Sequence, residues 1–268
     1  MSEVEIELPA IKYRMVLPDA DTDYIQRGIR DNRAPYERSM LEDMASRLPE
    51  GGLVVDVGAN VGNHTLYLAA SGARVVAYEP NAELADAISS SVRLNGFAET
   101  IEIRCLGVGA RAGQGGFETL NAANLGAQRL REGDGDLPIV ALDAETFPGS
   151  VALLKIDVEG GELDVLHGAH TLISQDRPAI YVECAQEIEF ERVSRWMEQA
   201  GYLVWDTWNG TPTHLFLPCE NLSLERKLAR LNAMLTKTQV YGSQRRLISA
   251  QKLLQKLNKS LLASFKRN

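Results

Sequence analysis

Five acidic residues stand at or just past the ends of apolar segments: Asp56 within LVVDVGANVG, Glu79 after RVVAY, Asp157 and Glu159 after VALLKI, and Glu183 in AIYVE. Carboxylates in such places can hold the hydroxyls of a ribose, neutralise a bound cation or take a proton from a nucleophile. Gly58 and Gly62 add a glycine turn between a buried strand and a helix, where free backbone N–H groups and the positive helix end meet a ligand at the carboxyl edge of a sheet. Asn63 is suited to cap that helix, which carries Leu66, Leu68, Ala69 and Ala70. His64 follows directly and is either a base leaning into the site or a helix-face residue.

The spacing of the turn selects the ligand. A dinucleotide fingerprint needs glycine at positions 58, 60 and 63, whereas this chain has Gly58, Asn60 and Asn63. Pyrophosphate approaches the backbone where the second glycine removes a side chain, so Asn60 argues against NAD. Glu79, about twenty residues past the turn, is placed to accept hydrogen bonds from both hydroxyls of a ribose. A nucleoside without phosphates fits best.

DVGANVGNHTLYLA, VVAYEP, LLKIDVEGGELDVLHGA and RPAIYVE, four ordered blocks between about Gly52 and Leu217, resemble the FkbM family of S-adenosylmethionine-dependent methyltransferases. The resemblance implies an α/β fold of the doubly wound, Rossmann-like class I methyltransferase kind, mostly parallel, with its last strand antiparallel. It implies S-adenosylmethionine as methyl donor, S-adenosylhomocysteine as product, and a small-molecule or glycan hydroxyl as acceptor. Carried onto this chain, donor binding falls to Asp56, Gly58, Ala59, Asn60, Gly62, Asn63, Glu79, Pro80, Asn81 and Asp157, with Asp56 receiving the donor's ammonium directly or through water. Asp157, Glu159 and His64 are the candidates for the catalytic group, with Asp157 first. Glu183 is a third acid on the same rim; the rim lacks a decisive ligand spacing, and no metal is expected. Where the family usually has an acid after the third strand, this chain has Ala110, which leaves the adenine contact unassigned. A non-catalytic assembly module with a retained nucleoside pocket and a docking tail is the competing reading.

A chain of 268 residues with 45% hydrophobic and 24% charged residues has an ordinary globular composition. No run of eighteen apolar residues occurs, and the N-terminus MSEVEIELPA is acidic where a signal peptide is basic and then apolar. A cytoplasmic location is therefore expected, Cys105, Cys184 and Cys219 are expected as reduced thiols, and the Asn-x-Ser/Thr triplets carry no weight. No nucleic-acid partner is expected.

Positioning these residues requires alternating strands and helices. Val4, Ile6 and Leu8, then Ile11, Tyr13 and Met15, alternate with polar residues and predict a hairpin. Pro35 suits the first turn of a helix with Tyr36, Met40, Met44 and Leu48 on one face, covering the sheet, with a lid over the acceptor as the alternative. Strands are expected over 53–57, 74–78, 101–106, 151–156 and 178–184, and helices from Asn63, over 80–95, after Gly161 and over 190–199. Two final strands, 202–206 and 213–217, flank WNGTP. The glycine-rich stretch 107–135 is either a surface excursion or a wall of the site. Trp205 and Trp208 are expected to pack, with stacking on a sugar ring as the alternative.

Three segments follow: a hairpin and covering helix over 1–50, a methyltransferase domain over 51–218 and a basic helical tail over 219–268. From Cys219 onward eleven Lys and Arg stand against two acids, a net of +9, which leaves 17 against 34, or −17, for the body. Leu224, Leu228, Leu231 and Leu235, then Leu247, Ala250, Leu254, Leu257 and Leu261, follow coiled-coil spacing on either side of Gly242. Residues 222–268 are therefore expected as a helical hairpin for self-association or partner docking, with packing back on the acidic body and peripheral membrane contact as alternatives.

Overall fold

A computed structural model of the chain describes residues 2–118, 129–133 and 135–220, with scattered positions between 222 and 232. One compact unit covers Met1–Glu220, and Asn221–Asn268 is a second. The first unit begins with β1 (Ser2–Glu7), β2 (Lys12–Leu17), α1 (Tyr24–Asn32) and α2 (Arg38–Arg47). It continues through β3 (Leu53–Val57), α3 (Asn63–Ala70), β4 (Arg74–Tyr78), α4 (Ala82–Asn95) and β5 (Ile101–Arg104). A second sheet follows, from β6 (Gly107–Val108), β7 (Gly113–Glu118), β8 (Arg129–Glu132) and β9 (Leu137–Val140). The unit closes with β10 (Val151–Ile156), α5 (Glu162–Gly168), α6 (His170–Asp176), β11 (Ala179–Glu183), α7 (Glu187–Gln199), β12 (Tyr202–Trp208) and β13 (Thr213–Pro218).

The main sheet has the order β12-β13-β11-β10-β3-β4-β5. Its central strands β11, β10, β3, β4 and β5 are parallel, and β13 runs antiparallel to both neighbours. This is the doubly wound, Rossmann-like class I sheet with a reversed last strand. Every residue of β3 is buried, as a central strand covered by helices on both faces requires. From β3 the chain winds one way to β4 and β5 and later returns on the other side to β10 and β11. The ends of β3 and β10 therefore flank the switch point where such sheets open a crevice.

Several elements differ from the sequence reading, each for a local reason. Pro35 and Tyr36 precede α2, because Glu37 takes a left-handed backbone (φ 60°) and delays the helix. The helix α1, capped by Asp23 accepting from the Gln26 amide, was not anticipated. The helix after Gly161 divides at Ala169, where Gly168 meets Gly109 so closely that a Cβ would lie 2.1 Å from the Gly109 carbonyl oxygen. Within 107–135 the described residues form the second sheet, ordered β6-β9-β7-β8.

The N-terminal hairpin inserts Val4, Ile6, Tyr13 and Met15 into the same core as β3 and α3. Asn95 on α4 bonds both the amide and the carbonyl of Arg14 (2.8 and 2.7 Å), and Ser91 accepts from the Val16 amide. Asp43 on α2 accepts from the Tyr181 hydroxyl at 2.5 Å and from two nitrogens of Arg47, fixing α2 against β11. Burial pushes the Tyr181 hydroxyl up, and it stays a donor to Asp43.

Cys105, Cys184 and Cys219 are free. Among the described residues no helix is long and apolar enough to cross a membrane. Apart from Leu228, which is 52% exposed, the leucines of the tail seams lie outside the described residues, and so does the expected helical hairpin.

Candidate active site

At the switch point a cavity of about 640 Å³ opens between the ends of β3, β4 and β10. Gly58 forms its floor with φ 78°, and a Cβ there would lie 1.8 Å from the Asp157 carbonyl oxygen, so only glycine allows β3 and β10 to close. The Gly58 and Ala59 amides both donate to the Tyr78 carbonyl. Asn60 adopts a left-handed backbone (φ 52°), which turns its amide onto Glu79 Oε2 at 2.8 Å. Glu79 Oε1 accepts from the Asn81 amide at 2.9 Å. Burial raises the Glu79 carboxyl to about 7 against the pull of these two amides. Glu79 lines the cavity, and its two oxygens retain lone pairs for a diol.

Beneath the floor lies a lysine that the sequence reading passed over. Lys155, 3% exposed in the middle of an apolar strand, donates to the Gly58 carbonyl at 2.7 Å and sits 3.2 Å from Asp56 Oδ1 and 3.5 Å from Asp157 Oδ2. Burial opposes its charge, but Asp56 and Asp157 outweigh it and raise the ammonium's pKa. Asp56 is wholly buried, and its other oxygen accepts from Thr65 Oγ1 at 2.6 Å. Direct or water-mediated contact with the donor's ammonium was the expectation for Asp56; in the structure it does not line the cavity but stands under it, paired with Lys155. A charged residue interrupting a buried strand was the signal available in the sequence.

Asp157, Glu159 and Glu183 converge on the rim, with one carboxylate oxygen of each within 4.8 Å of the others. Oxygens at this spacing can bracket a cationic group, whether a metal ion or an ammonium. Burial pushes Asp157 upward, but Lys155, a hydrogen bond with Glu183 and nearby His64 hold it below its ordinary range. Glu183 moves the other way, up to about 10, through burial and the Asp157 charge, and so carries a proton at neutral pH. Glu159 rises to about 7, since its carboxyl is partly desolvated beside the Asp157 charge although the residue as a whole is exposed, with φ 57°.

A carboxyl raised on folding contributes stability below its unfolded pKa and loses it as pH rises toward the folded value. Glu183→Gln, which mimics the protonated acid, should therefore match wild type near pH 5 and melt several degrees higher at pH 8. Equal melting curves at both pH values would place Glu183 outside this proton balance.

Asn63 is the first residue of α3 and not its cap; Gly62 takes the cap position with φ 81°. The Asn63 side chain instead grips the Tyr36 backbone, accepting from its amide and donating to its carbonyl, each at 2.9 Å. Asn63, Pro80 and His64 line the cavity. Gly62 packs on Ile88, and Asn81 caps α4 by accepting from the Glu83 and Leu84 amides, so these two support the turn from behind. His64 Nε2 lies 3.2 Å from Glu37 Oε2, and Tyr36 and Glu37 line the cavity although nothing in their local sequence marked them. Trp205 and Trp208 pack against the core. His167 and His170 stand edge-on to Trp196, and His214 accompanies Phe190, away from the cavity.

Solved structures with a related fold include the methyltransferase FkbM of Methylobacillus flagellatus, at 16% identity and a TM-score of 0.48 over 73% of this chain and 62% of that one. This chain thus spans less than two thirds of that neighbour. A SAM-dependent O-methyltransferase of Thermotoga maritima matches at 14% identity and a TM-score of 0.46, over 79% of this chain and 76% of its own. The magnesium protoporphyrin IX methyltransferase of Synechocystis, solved with SAM, matches at 12% identity and 0.46, over 75% and 86%. No curated protein matches the sequence. The methyltransferase FkbM domain model matches residues 56–204. That span exceeds half of the 268 residues and runs from the floor of the cavity to the penultimate strand, and the chain belongs to the methyltransferase FkbM domain family.

Proposed function

We propose that the protein is an S-adenosylmethionine-dependent O-methyltransferase acting on a hydroxyl of a glycan, sugar or secondary-metabolite precursor. The observation that carries this reading is one cavity with Glu79 at the tip of β4, Gly58 at the tip of β3 and Asp157 at the tip of β10. The residues suit the donor: a buried carboxylate for a ribose, a turn no side chain could enter, and an ionised carboxylate on the rim for a cation. The donor supplies an electrophilic methyl group on a sulfonium.

The chain's own contribution is alignment and proton handling. Glu79 fixes the ribose, and Asp157, kept ionised by Lys155, holds the cationic end. Holding both ends would orient the methyl group within the cavity, which Tyr36, Glu37, His64 and Glu183 also line. Alignment of this kind lowers a barrier by roughly 7–11 kcal/mol in favourable cases. The proton on Glu183 is donated in a hydrogen bond to Asp157 and helps to keep that carboxylate ionised. The acidic rim favours neutral or cationic acceptors over phosphorylated ones.

Glu79→Ala removes charge-assisted hydrogen bonds of about 1.5–3 kcal/mol each, so calorimetry should show S-adenosylhomocysteine affinity falling at least about tenfold. Unchanged affinity would take Glu79 out of the site. For the acceptor, mass spectrometry of glycans and metabolites from cells with and without the protein should reveal a species lighter by one CH₂ unit when it is absent. Identical profiles would contradict the assignment to these substrate classes.

A further inference from the structure

We infer that Glu37 and His64 form a proton-accepting dyad, in which Glu37 holds the Nε2–H of a neutral imidazole and leaves Nδ1 to receive the proton of the acceptor hydroxyl. The inference rests on the methyltransferase reading and assigns its base. The two side chains are largely buried, 14% and 9% exposed, with Nε2 3.2 Å from Glu37 Oε2. Nε2 is shut away from solvent, and the pair is at ion-pair distance without the alignment of a full hydrogen bond. Such contacts often tighten only when a substrate is bound. With Nε2 enclosed, Nδ1 is the ring nitrogen able to meet a ligand in the cavity that His64 lines. A carboxylate on one ring nitrogen determines which tautomer the other presents.

The placement is built from both sides. Asn63 grips the backbone of Tyr36 while its neighbour His64 faces Glu37, so consecutive residues of α3 hold consecutive residues before α2. Glu37 takes its left-handed backbone there without being glycine, a conformation that costs energy and recurs where function requires it. Asp43 bonded to Tyr181 ties α2 to β11 behind it. Glu37 lies outside residues 56–204, so the N-terminal segment completes a site that the family domain begins.

The other rim acids are poorly suited to this step. Asp157 is ionised but stabilised by Lys155, which makes it a weak proton acceptor. Glu183 already carries a proton at neutral pH. Glu159 is exposed at the mouth. The charged and titratable groups around His64 are Glu37 before α2, Asp157 at the end of β10 with Lys155 and Glu183 about it, Glu159 beyond, and the Tyr36 hydroxyl near Glu37, Asp157 and Glu183. In the reaction the hydroxyl proton passes to Nδ1 as its oxygen bonds to the methyl carbon. The carbon–sulfur bond breaks with its electron pair staying on sulfur, and the imidazolium later releases the proton to water.

Nitrogen NMR of histidine-labelled protein tests this, since the chain has four histidines and His64→Gln assigns the signal. With and without S-adenosylhomocysteine, neutral His64 should carry its proton on Nε2, and Glu37→Gln, which removes the carboxylate that holds that proton, should move a measurable share of it to Nδ1. With methyl-labelled S-adenosylmethionine and an extract of cells lacking the protein as acceptor, label transfer should fall about a hundredfold or more in His64→Gln. In Glu37→Gln it should fall about tenfold, with S-adenosylhomocysteine affinity unchanged. A proton on Nδ1 in wild type, a tautomer unmoved by Glu37→Gln, or full transfer by His64→Gln would overturn the dyad. Failure of wild type to bind S-adenosylhomocysteine would instead sink the methyltransferase reading, and the tautomer would still be read.

Discussion

Gly58→Ala should abolish measurable binding of S-adenosylhomocysteine and lower the stability of the fold. The added Cβ would sit 1.8 Å from the Asp157 carbonyl oxygen and 2.9 Å from its carbon, both backbone atoms of the neighbouring strand. No rotamer relieves such an overlap, so β3 and β10 must part where their ends form the cavity floor. Overpacking costs about 1–3 kcal/mol, and φ 78° adds a left-handed penalty of about 1–2 kcal/mol for a residue with a Cβ. The same displacement moves the Gly58 carbonyl off Lys155 and Asp157 off its place on the rim. Thermal melting and calorimetry check the two consequences separately. Wild-type affinity in Gly58→Ala would mean that the turn does not form the floor of the donor site.

Lys155→Met should destabilise the protein by about 3–5 kcal/mol at neutral pH, the usual cost of removing one partner of a buried ion pair. Its side chain is enclosed, among the described residues Lys155 is the cation paired with Asp56, and the Gly58 carbonyl would lose its 2.7 Å donor. Methionine matches the length of the stem, so the loss reports charge more than volume. In the variant both aspartates lose their cation, and Asp157, which Lys155 holds below its ordinary range, rises. The deficit should therefore be largest above neutrality and shrink as pH falls through the carboxylate range, where protonation removes the uncompensated charge. Denaturant titrations at pH 7.5 and 4.5 distinguish this from a packing defect, which would be the same at both.

The sheet was legible because its central strands are continuous apolar runs bounded by glycine and acid. The strand 151–156 and the turn from Gly58 to Gly62 lie where the pattern puts them. Glu79 was legible for the same reason, since spacing from a glycine turn is a local property. Asn63 misled because asparagine at a helix start is an ordinary cap, and only the fold brings Tyr36, twenty-seven residues earlier, within its reach. Asp56 misled because a residue near the end of a strand can face the ligand or the layer beneath. Lys155 was in plain sight, a cation inside VALLKI, and burial makes such a residue informative. Glu37 had no signal at all: an exposed-looking acid after Pro35 acquires its place only when α2 docks on β11.

The most direct measurement is calorimetric titration of the purified full chain with S-adenosylhomocysteine and, separately, with NAD. The cavity closed by Gly58, with Asn60 where a dinucleotide needs glycine and Glu79 lining it, predicts one-site binding of S-adenosylhomocysteine and none of NAD. Binding of NAD, with no heat from S-adenosylhomocysteine, would contradict it.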